Sequence, residues 1–149
     1  FAAQVARERL RSAVPNVDEY CDAEINDSMY FTLFPNFHPW GAFNRINYRF
    51  RPVGTKVDEC IMECIYTEDF EGDERPAPAE YIELGIDQEW TELIPVIGNL
   101  ARVFHQDSFN LPKVQKGLET FRADGLTLTK YQEVKIRHWH AMAERFIAN

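Results

Sequence analysis

Residues 103–114 read VFHQDSFNLPKV and lie between two apolar segments with helical spacing. Apolar residues recur three or four positions apart on both sides of this stretch, at Val96, Leu100, Val103, Leu111, Val114 and Leu118. Asp107 falls seven residues after Leu100 and seven before Val114. A helix that runs through the stretch therefore places a carboxylate in the middle of an apolar stripe.

Three roles can explain a carboxylate in that position. An unpaired carboxylate in apolar surroundings is costly, so it must be protonated, paired or bound to a metal. Pro112 is expected to break or kink the helix near Ser108, and Asp107 would then cap a helix that begins near Asn110. The alternatives are an ion pair with a buried arginine and a metal ligand that faces a cavity. On spacing alone the cap is favoured.

The totals describe one acidic domain with a substantial core. The chain has 149 residues, of which 45% are apolar and 13% aromatic, so disorder is not expected. The net charge of −8 and the absence of a basic stripe argue against a nucleic-acid partner. No apolar run reaches the roughly 18 residues that a membrane span needs. The chain opens at Phe1 without a Met, so a fragment of a longer protein is expected.

The cysteines indicate a reducing compartment. Cys21, Cys60 and Cys64 form no CxxC pair and no disulfide framework. Buried, reduced thiols are therefore predicted, and a cytoplasmic location is expected.

The order of elements predicts an α+β domain. Strands are predicted from apolar runs and period-two alternation, helices from 3.6-residue periodicity, and loops from acidic or proline-containing segments. The predicted elements are a helix at 2–14, a loop at 16–27, a central strand at 28–34, a loop or extended crossing at 36–41, strands at 43–51 and 57–67, a loop at 68–78, helical periodicity at 91–121, a short strand or turn at 125–132, and a helix at 132–147. Strands followed by long helices favour an antiparallel sheet with a helix laid across it.

Four segments in register carry a resemblance to a known family. They are YFTLFPNFHPWG at 30–41, YRFRPVG at 48–54, QDSFNLPKVQKGL at 106–118 and YQEVKIRHWH at 131–140. Together they resemble the catalytic domain of Rieske-type non-haem iron oxygenases, the alpha subunits of aromatic-ring-hydroxylating dioxygenases. The similarity runs from about Met29 to the end of the chain.

The resemblance implies a fold and an iron site. The implied fold is a helix-grip, an antiparallel sheet wrapped around a long C-terminal helix, here as an incomplete domain. Family members hold a mononuclear Fe(II) with two histidines and one aspartate, and the resemblance implies that Asp107 is the aspartate. Residues 1–149 would then be the C-terminal part of the catalytic domain. The paired histidines and the Rieske domain with its [2Fe-2S] cluster are expected upstream of Phe1.

The histidines in this chain do not complete such a site. His138 and His140 are two apart on a predicted helix, so their side chains point about 200° apart and cannot clasp one metal. His38 is assigned to a loop or a pocket wall. Phe104, one turn before Asp107, and Phe37 are candidates for the substrate pocket, although core packing is favoured for Phe104.

The function implied by the resemblance belongs to the parent protein. It is the insertion of oxygen from O2 into an aromatic or related hydrophobic substrate, with electrons from a reductase or ferredoxin through the Rieske cluster. A homotrimer is implied, with or without beta subunits, and the fragment alone is expected to be inactive. The alternative is a non-catalytic helix-grip domain that binds a hydrophobic small molecule, and a third possibility is a scaffold in which Asp107 is only a cap.

Overall fold

The structure, a computed structural model, describes residues 1–27, 29–41, 43–67 and 73–148. The chain divides into two compact units, Phe1–Asp73 with Leu128–Asn149, and Glu74–Thr127. The helices are α1 (Ala2–Leu10), α2 (Asp22–Asn26), α3 (Trp90–Leu93), α4 (Leu100–Glu119) and α5 (Val134–Ile147), and the strands are β1 (Phe37–Pro39), β2 (Ile46–Pro52) and β3 (Cys60–Tyr66). This composition confirms the α+β class. None of the helices described is both long and apolar enough to cross a membrane.

The three strands form one antiparallel sheet in the order β1-β2-β3. Strand β2 pairs with β3 from Ile46 opposite Tyr66 to Pro52 opposite Cys60. The two predicted strands at 43–51 and 57–67, and the hairpin between them, are confirmed with shorter limits. Gly54 has a φ of 57°, a conformation that glycine adopts without steric cost and that suits the turn.

The sheet places its charged side chains on one face and the rings of His38 and Tyr48 on the other, because successive residues of a strand point to opposite sides. Phe37 lies directly opposite Arg49, and Arg49 opposite Glu63, on the face with the charged groups. On the other face the ring of His38 stacks on Tyr48, with centroids 5.2 Å apart. The polar-lined face expected for residues 43–51 is therefore present.

The predicted central strand at 28–34 is wrong. Within the described part of this segment, Tyr30 and Leu33 form only isolated bridges, to Trp40 and Phe37. The segment lies along the outer side of β1, and Leu33 is 55% exposed. Phe31 is also 54% exposed, so the apolar character of the segment did not indicate a buried, central position. Residues 36–41, predicted to form a loop or an extended crossing, contain the short strand β1.

The N-terminal segment contains more helix than the sequence predicted. The loop expected at 16–27 holds a 3₁₀ turn at Val17–Glu19 and helix α2. Glu24 stabilises the start of α2, because its Oε2 accepts a hydrogen bond from the Cys21 backbone N–H at 2.8 Å. Val17 and Ile25 then bury against Ala3 of α1 and form a small core. The predicted helix at 2–14 ends as α1 at Leu10.

In the second unit, helix α4 passes through Pro112 without a break. A proline removes one backbone hydrogen bond, here to the Ser108 carbonyl, at a cost of about 3 kcal/mol. The turns on either side keep their own bonds, and α4 extends to Glu119. The predicted break near Ser108 is therefore wrong, and the alternative of a kink there stays a prediction. The core of this unit consists of Trp90, Ile97, Ala101 and Phe104.

Helix α5 belongs to the first unit and confirms the predicted C-terminal helix. The Trp139 indole Nε1–H donates to the Pro35 carbonyl at 2.6 Å, and the Phe34 ring contacts both Trp139 and Phe146. The Lys135 ammonium donates to the Tyr30 carbonyl at 3.0 Å. The described residues at 125–132 form turns and irregular structure, with no strand.

Two other expectations concern the loop and the cysteines. Residues 68–72 of the predicted loop lie outside the described residues, and 73–78 are exposed without regular structure. All three cysteines are free. Burial raises the pKa of the half-buried Cys64 thiol to about 11, but Cys21 and Cys60 are exposed, so the prediction of buried thiols is wrong for these two.

A carboxylate between two arginines joins β2 to β3 on the polar face. The Glu63 side chain is 14% exposed; its Oε2 lies 2.6 Å from Arg49 Nη2 and its Oε1 2.6 Å from Arg51 Nε. The hydrogen bond from Arg49 is the main reason that the pKa of the Glu63 carboxyl is lowered, and Arg51 adds to it. This network fixes the register of the two strands.

We expect Glu63→Gln to lower the free energy of unfolding by about 1 kcal/mol, since both arginines are partly solvated. A lowered carboxyl pKa stabilises the folded state above the ordinary value of 4.5, and this contribution disappears as the pH falls through the folded pKa. Urea unfolding of both proteins should differ near pH 7, and the difference should disappear as the pH falls below 4.5 and through the folded pKa. Glu59→Gln, which removes the exposed Lys56–Glu59 pair, should have a smaller effect; an equal effect would contradict the prediction.

Candidate metal centre on helix α4

Asp107 lies well inside α4, which begins at Leu100 and ends at Glu119. Because the helix does not restart near Asn110, Asp107 is not an N-cap, and that interpretation is wrong. None of the described residues forms an ion pair or hydrogen bond with its carboxylate, which leaves the ion pair with a buried arginine without support. Partial removal of water by its neighbours raises the pKa of the Asp107 carboxyl, although the residue is exposed.

The apolar stripe around Asp107 is open to solvent. Val103 is 47% exposed, Leu111 46% and Val114 55%. The expectation that the carboxylate is buried among apolar neighbours is therefore wrong for this chain. The covered residues of α4 are Ala101 and Phe104, and α3 is the helix with the most contacts to α4. The sequence pattern identified the apolar stripe of α4 correctly. It did not show which side of α4 is covered by other parts of the chain.

Phe104 packs in the core of the second unit. It is 4% exposed, and its ring lies 5.7 Å from the Trp90 ring. This contact joins α4 to the beginning of α3, one turn of α4 before Asp107. The geometry suits the core role that the sequence favoured for Phe104, and its place in a substrate pocket stays a prediction.

A second contact between α3 and α4 was not found from the sequence. The Glu89 carboxylate caps α3, because its Oε1 accepts hydrogen bonds from the Thr91 N–H and hydroxyl. Its Oε2 lies 3.2 Å from His105 Nε2. The Thr91 hydroxyl is the main cause of the lowered pKa of the Glu89 carboxyl. The acid just before WTEL was a possible capping signal in the sequence. Nothing in the sequence indicated that this acid contacts His105, sixteen residues later.

The other candidate residues belong to the sheet-bearing unit. Phe37 lies on the charged face of the sheet, whereas His38 lies on the aromatic face and contacts Tyr48 and Phe50. Burial lowers the pKa of the His38 imidazole, which favours its neutral form. His138 and His140 both lie on α5, as predicted. The structure thus places Phe104 and Asp107 on one helix and Phe37 in the other unit.

The donor set of this chain can supply one part of a metal centre. In the described part of the chain, no three His, Cys, Asp or Glu side chains converge to hold a metal ion. Asp107 nevertheless fits the role of a single ligand, since its carboxylate is unpaired and is carried by a long helix. A hard anionic oxygen on a rigid element is a suitable ligand for a divalent iron that imidazoles also bind.

Comparison with known proteins assigns the whole chain. The family model described as ring hydroxylating alpha subunit (catalytic domain) matches residues 2–149. No curated protein and no solved structure matches the chain. The family match covers both units and includes Asp107, Phe104 and Phe37.

Proposed function

The chain belongs to the ring hydroxylating alpha subunit (catalytic domain) family, which gives it an oxygenase role, and from this we propose a function. It is part of an iron-dependent oxygenase that inserts oxygen from O2 into an aromatic or related hydrophobic substrate. The observation that carries the proposal is the family match over residues 2–149. The unpaired carboxylate of Asp107 is compatible with it, because such a group is available for a metal.

Asp107 is proposed as the carboxylate ligand of a mononuclear Fe(II), together with two histidines outside this chain. A site of two imidazoles and one carboxylate leaves coordination positions open. When bound, the iron supplies the redox chemistry that activates O2. The exposed stripe of α4 beside Asp107 supports this role, because apolar side chains there would exclude water once covered.

The remaining residues are proposed to hold and shape the site. Phe104 and Trp90 fix the first half of α4, which keeps the Asp107 oxygens in place. Phe104 and Phe37 are proposed to contribute apolar surface toward the substrate. The three-stranded sheet and the long α4 are proposed to be parts of a helix-grip fold, in which a larger sheet wraps around the helix.

Electrons and assembly are proposed from family membership. A Rieske [2Fe-2S] cluster in a domain preceding this chain would receive electrons from a reductase or ferredoxin. The oxygenase is proposed to be a cytoplasmic homotrimer, with or without beta subunits. The present chain alone is proposed to be inactive, because it supplies a single iron ligand.

Metal analysis of the complete protein tests this function. Purified protein should contain iron at the mononuclear site and two further irons per Rieske cluster. The sequence before Phe1 should carry two closely spaced histidines and a CxH…CxxH motif. A protein that binds a hydrophobic compound but contains no iron would instead be a carrier, and that result would contradict the proposal.

A further inference from the structure

The segment that precedes α3 is acidic, irregular and exposed. Residues 73–88, here called the acidic segment, contain five acidic residues and one arginine, and they form no helix or strand. Three of their apolar side chains are also open to solvent: Tyr81 is 71% exposed, Ile82 44% and Ile86 59%. Apolar side chains that are grouped on an exposed segment mark a surface that contacts another molecule.

The carboxylates of the acidic segment are not engaged by its own surroundings. Glu80, Glu83 and Asp87 are exposed, and in the described part of the chain none of their side chains forms an ion pair or a hydrogen bond. The acidic segment therefore presents negative charge and apolar surface together. A complementary surface must offer cationic groups beside apolar side chains.

Strand β2 supplies such cationic groups. Arg49 and Arg51 point to the same side of the sheet, since they are two residues apart on β2. They share the carboxylate of Glu63, which lies 2.6 Å from each guanidinium. Two cations and one anion leave one positive charge uncompensated, in a chain whose net charge is −8.

Both guanidinium groups keep N–H donors for a further acceptor. Glu63 accepts hydrogen bonds from Nε of Arg49 and from Nε of Arg51, and its Oε2 also lies 2.6 Å from Arg49 Nη2. The two arginine side chains stay 43% and 40% exposed. A guanidinium carries more N–H groups than Glu63 uses here, so each arginine can also bind a carboxylate of another molecule.

Apolar side chains flank the two arginines on the same face of the sheet. Ile61 lies directly opposite Arg51, and Phe37 directly opposite Arg49. Leu33 pairs with Phe37 in turn, and both Leu33 and Ile61 are exposed. The arginine face is defined as Leu33, Phe37, Arg49, Arg51, Ile61 and Glu63. Arginine beside apolar side chains is a composition typical of protein–protein interfaces.

We infer that the acidic segment of one copy of this chain docks on the arginine face of a second copy. The second copy is the occupant because this sequence contains both surfaces, and they match in charge and in apolar character. Two different surfaces meet in such a contact, and a contact of this kind closes into a ring when the rotation between copies allows it. The inference rests on the homotrimer of the proposed function and names the surfaces that hold its subunits together.

Two variants of the complete protein change the two surfaces separately. Arg51→Gln keeps the ion pair of Arg49 with Glu63 and makes the arginine face neutral. The second variant combines Glu80→Gln with Glu83→Gln, which removes two carboxylates from the acidic segment. The mass of the assembly is measured by sedimentation velocity over a range of protein concentrations, and the iron content of each sample by metal analysis.

Each variant has a control that changes the net charge equally. Arg9→Gln neutralises an exposed arginine of α1, and Asp124→Asn with Glu144→Gln neutralises two exposed acids outside the acidic segment. Both controls should dissociate at the same protein concentration as the wild type. A shift in the controls as large as in the variants would show that only the net charge matters, and would overturn the inference.

We expect each of the two variants to raise the concentration at which the trimer is half dissociated by about tenfold, because every subunit contact loses a charge interaction. An equimolar mixture of the two variants should contain more dimer than either variant alone. In the mixture the intact acidic segment of the Arg51→Gln copy can dock on the intact arginine face of the other copy. Formation of this dimer also shows that both variants are folded.

Three results would overturn the inference: a monomeric wild-type protein, unchanged dissociation in both variants, or a mixture with no more dimer than its components. The last result would mean that the two surfaces do not meet between copies. The proposed function fails on a different measurement, the absence of iron from the wild-type protein, so the two failures are distinguishable.

Discussion

Replacing Asp107 with Ala in the complete protein will abolish iron at the mononuclear site and product formation together. The side chain has no described partner in the fold, so its removal leaves no buried group unpaired. The variant should therefore unfold at the same urea concentration as the wild type. Loss of the carboxylate from the proposed site of two imidazoles and one carboxylate removes its anionic donor, and we expect at least a hundredfold weaker binding of Fe(II).

Glu119→Ala is the matched control for this substitution. Glu119 is an exposed acid at the end of the same helix, so its removal changes the charge of α4 equally and leaves iron binding intact. Asp107→Asn keeps the size of the side chain, removes its charge and should behave like Asp107→Ala. Full iron content and activity in Asp107→Asn would show that the carboxylate is not a ligand. Iron is measured by metal analysis and activity by product formation.

Phe104→Ala has the largest expected effect on stability. Phe104 is 4% exposed and packs on Trp90, so truncation removes a buried ring and leaves a cavity in a small core. Such substitutions cost about 3–5 kcal/mol. We expect the part of the helical circular dichroism that α3 and α4 contribute to be lost at a markedly lower urea concentration, because these helices lose their main apolar contact.

Val114→Ala provides the comparison for Phe104→Ala. Val114 lies on the same helix but is 55% exposed, so its truncation in this chain should change the unfolding free energy by less than about 0.5 kcal/mol. A Phe104 that serves only the substrate pocket would give a different pattern. In that case Phe104→Ala would change substrate preference in the complete protein and leave the urea midpoint of the chain unchanged.

Local sequence patterns identified the strands and helices that form through contacts between residues close together in the chain. Strict alternation at Ile46, Tyr48 and Phe50 predicted β2, and the hairpin to β3 followed from the turn at 52–55. Helical periodicity predicted both α4 and α5. These elements form by contacts between residues that are close in the chain, so a single sequence contains the necessary information.

Features that depend on distant contacts could not be predicted in the same way. The segment around Phe31 is apolar on both faces, but the turn at Pro35 places it along the outer side of β1 rather than inside the sheet. Phe37 and His38 are adjacent in sequence, and only the pairing with β2 shows which face each occupies. The exposure of Asp107 depends on which other segments cover α4. The spacing of the apolar residues around Asp107 gives no information about those segments.

The candidate site was identified by resemblance rather than by spacing. Spacing alone favoured a capping role for Asp107, and the uninterrupted α4 excludes that role. The Glu89–His105 contact joins residues from two helices, and neither residue type is unusual at its position. A sequence with one carboxylate and no neighbouring imidazole at ligand spacing does not define a metal site without knowledge of the family.

The two edges of the sheet differ in whether their outward-facing backbone groups are hydrogen-bonded to a neighbouring segment. Along the outer side of β1, Phe31 and Leu33 already donate backbone hydrogen bonds to Pro39 and Phe37. Along the outer side of β3, no other strand of the described chain is paired, so the outward-facing peptide groups between Cys60 and Ile65 are not bonded to a further strand. A further strand can therefore be added beside β3 but not beside β1. An additional antiparallel or parallel strand can join at β3 through the peptide groups that face away from β2.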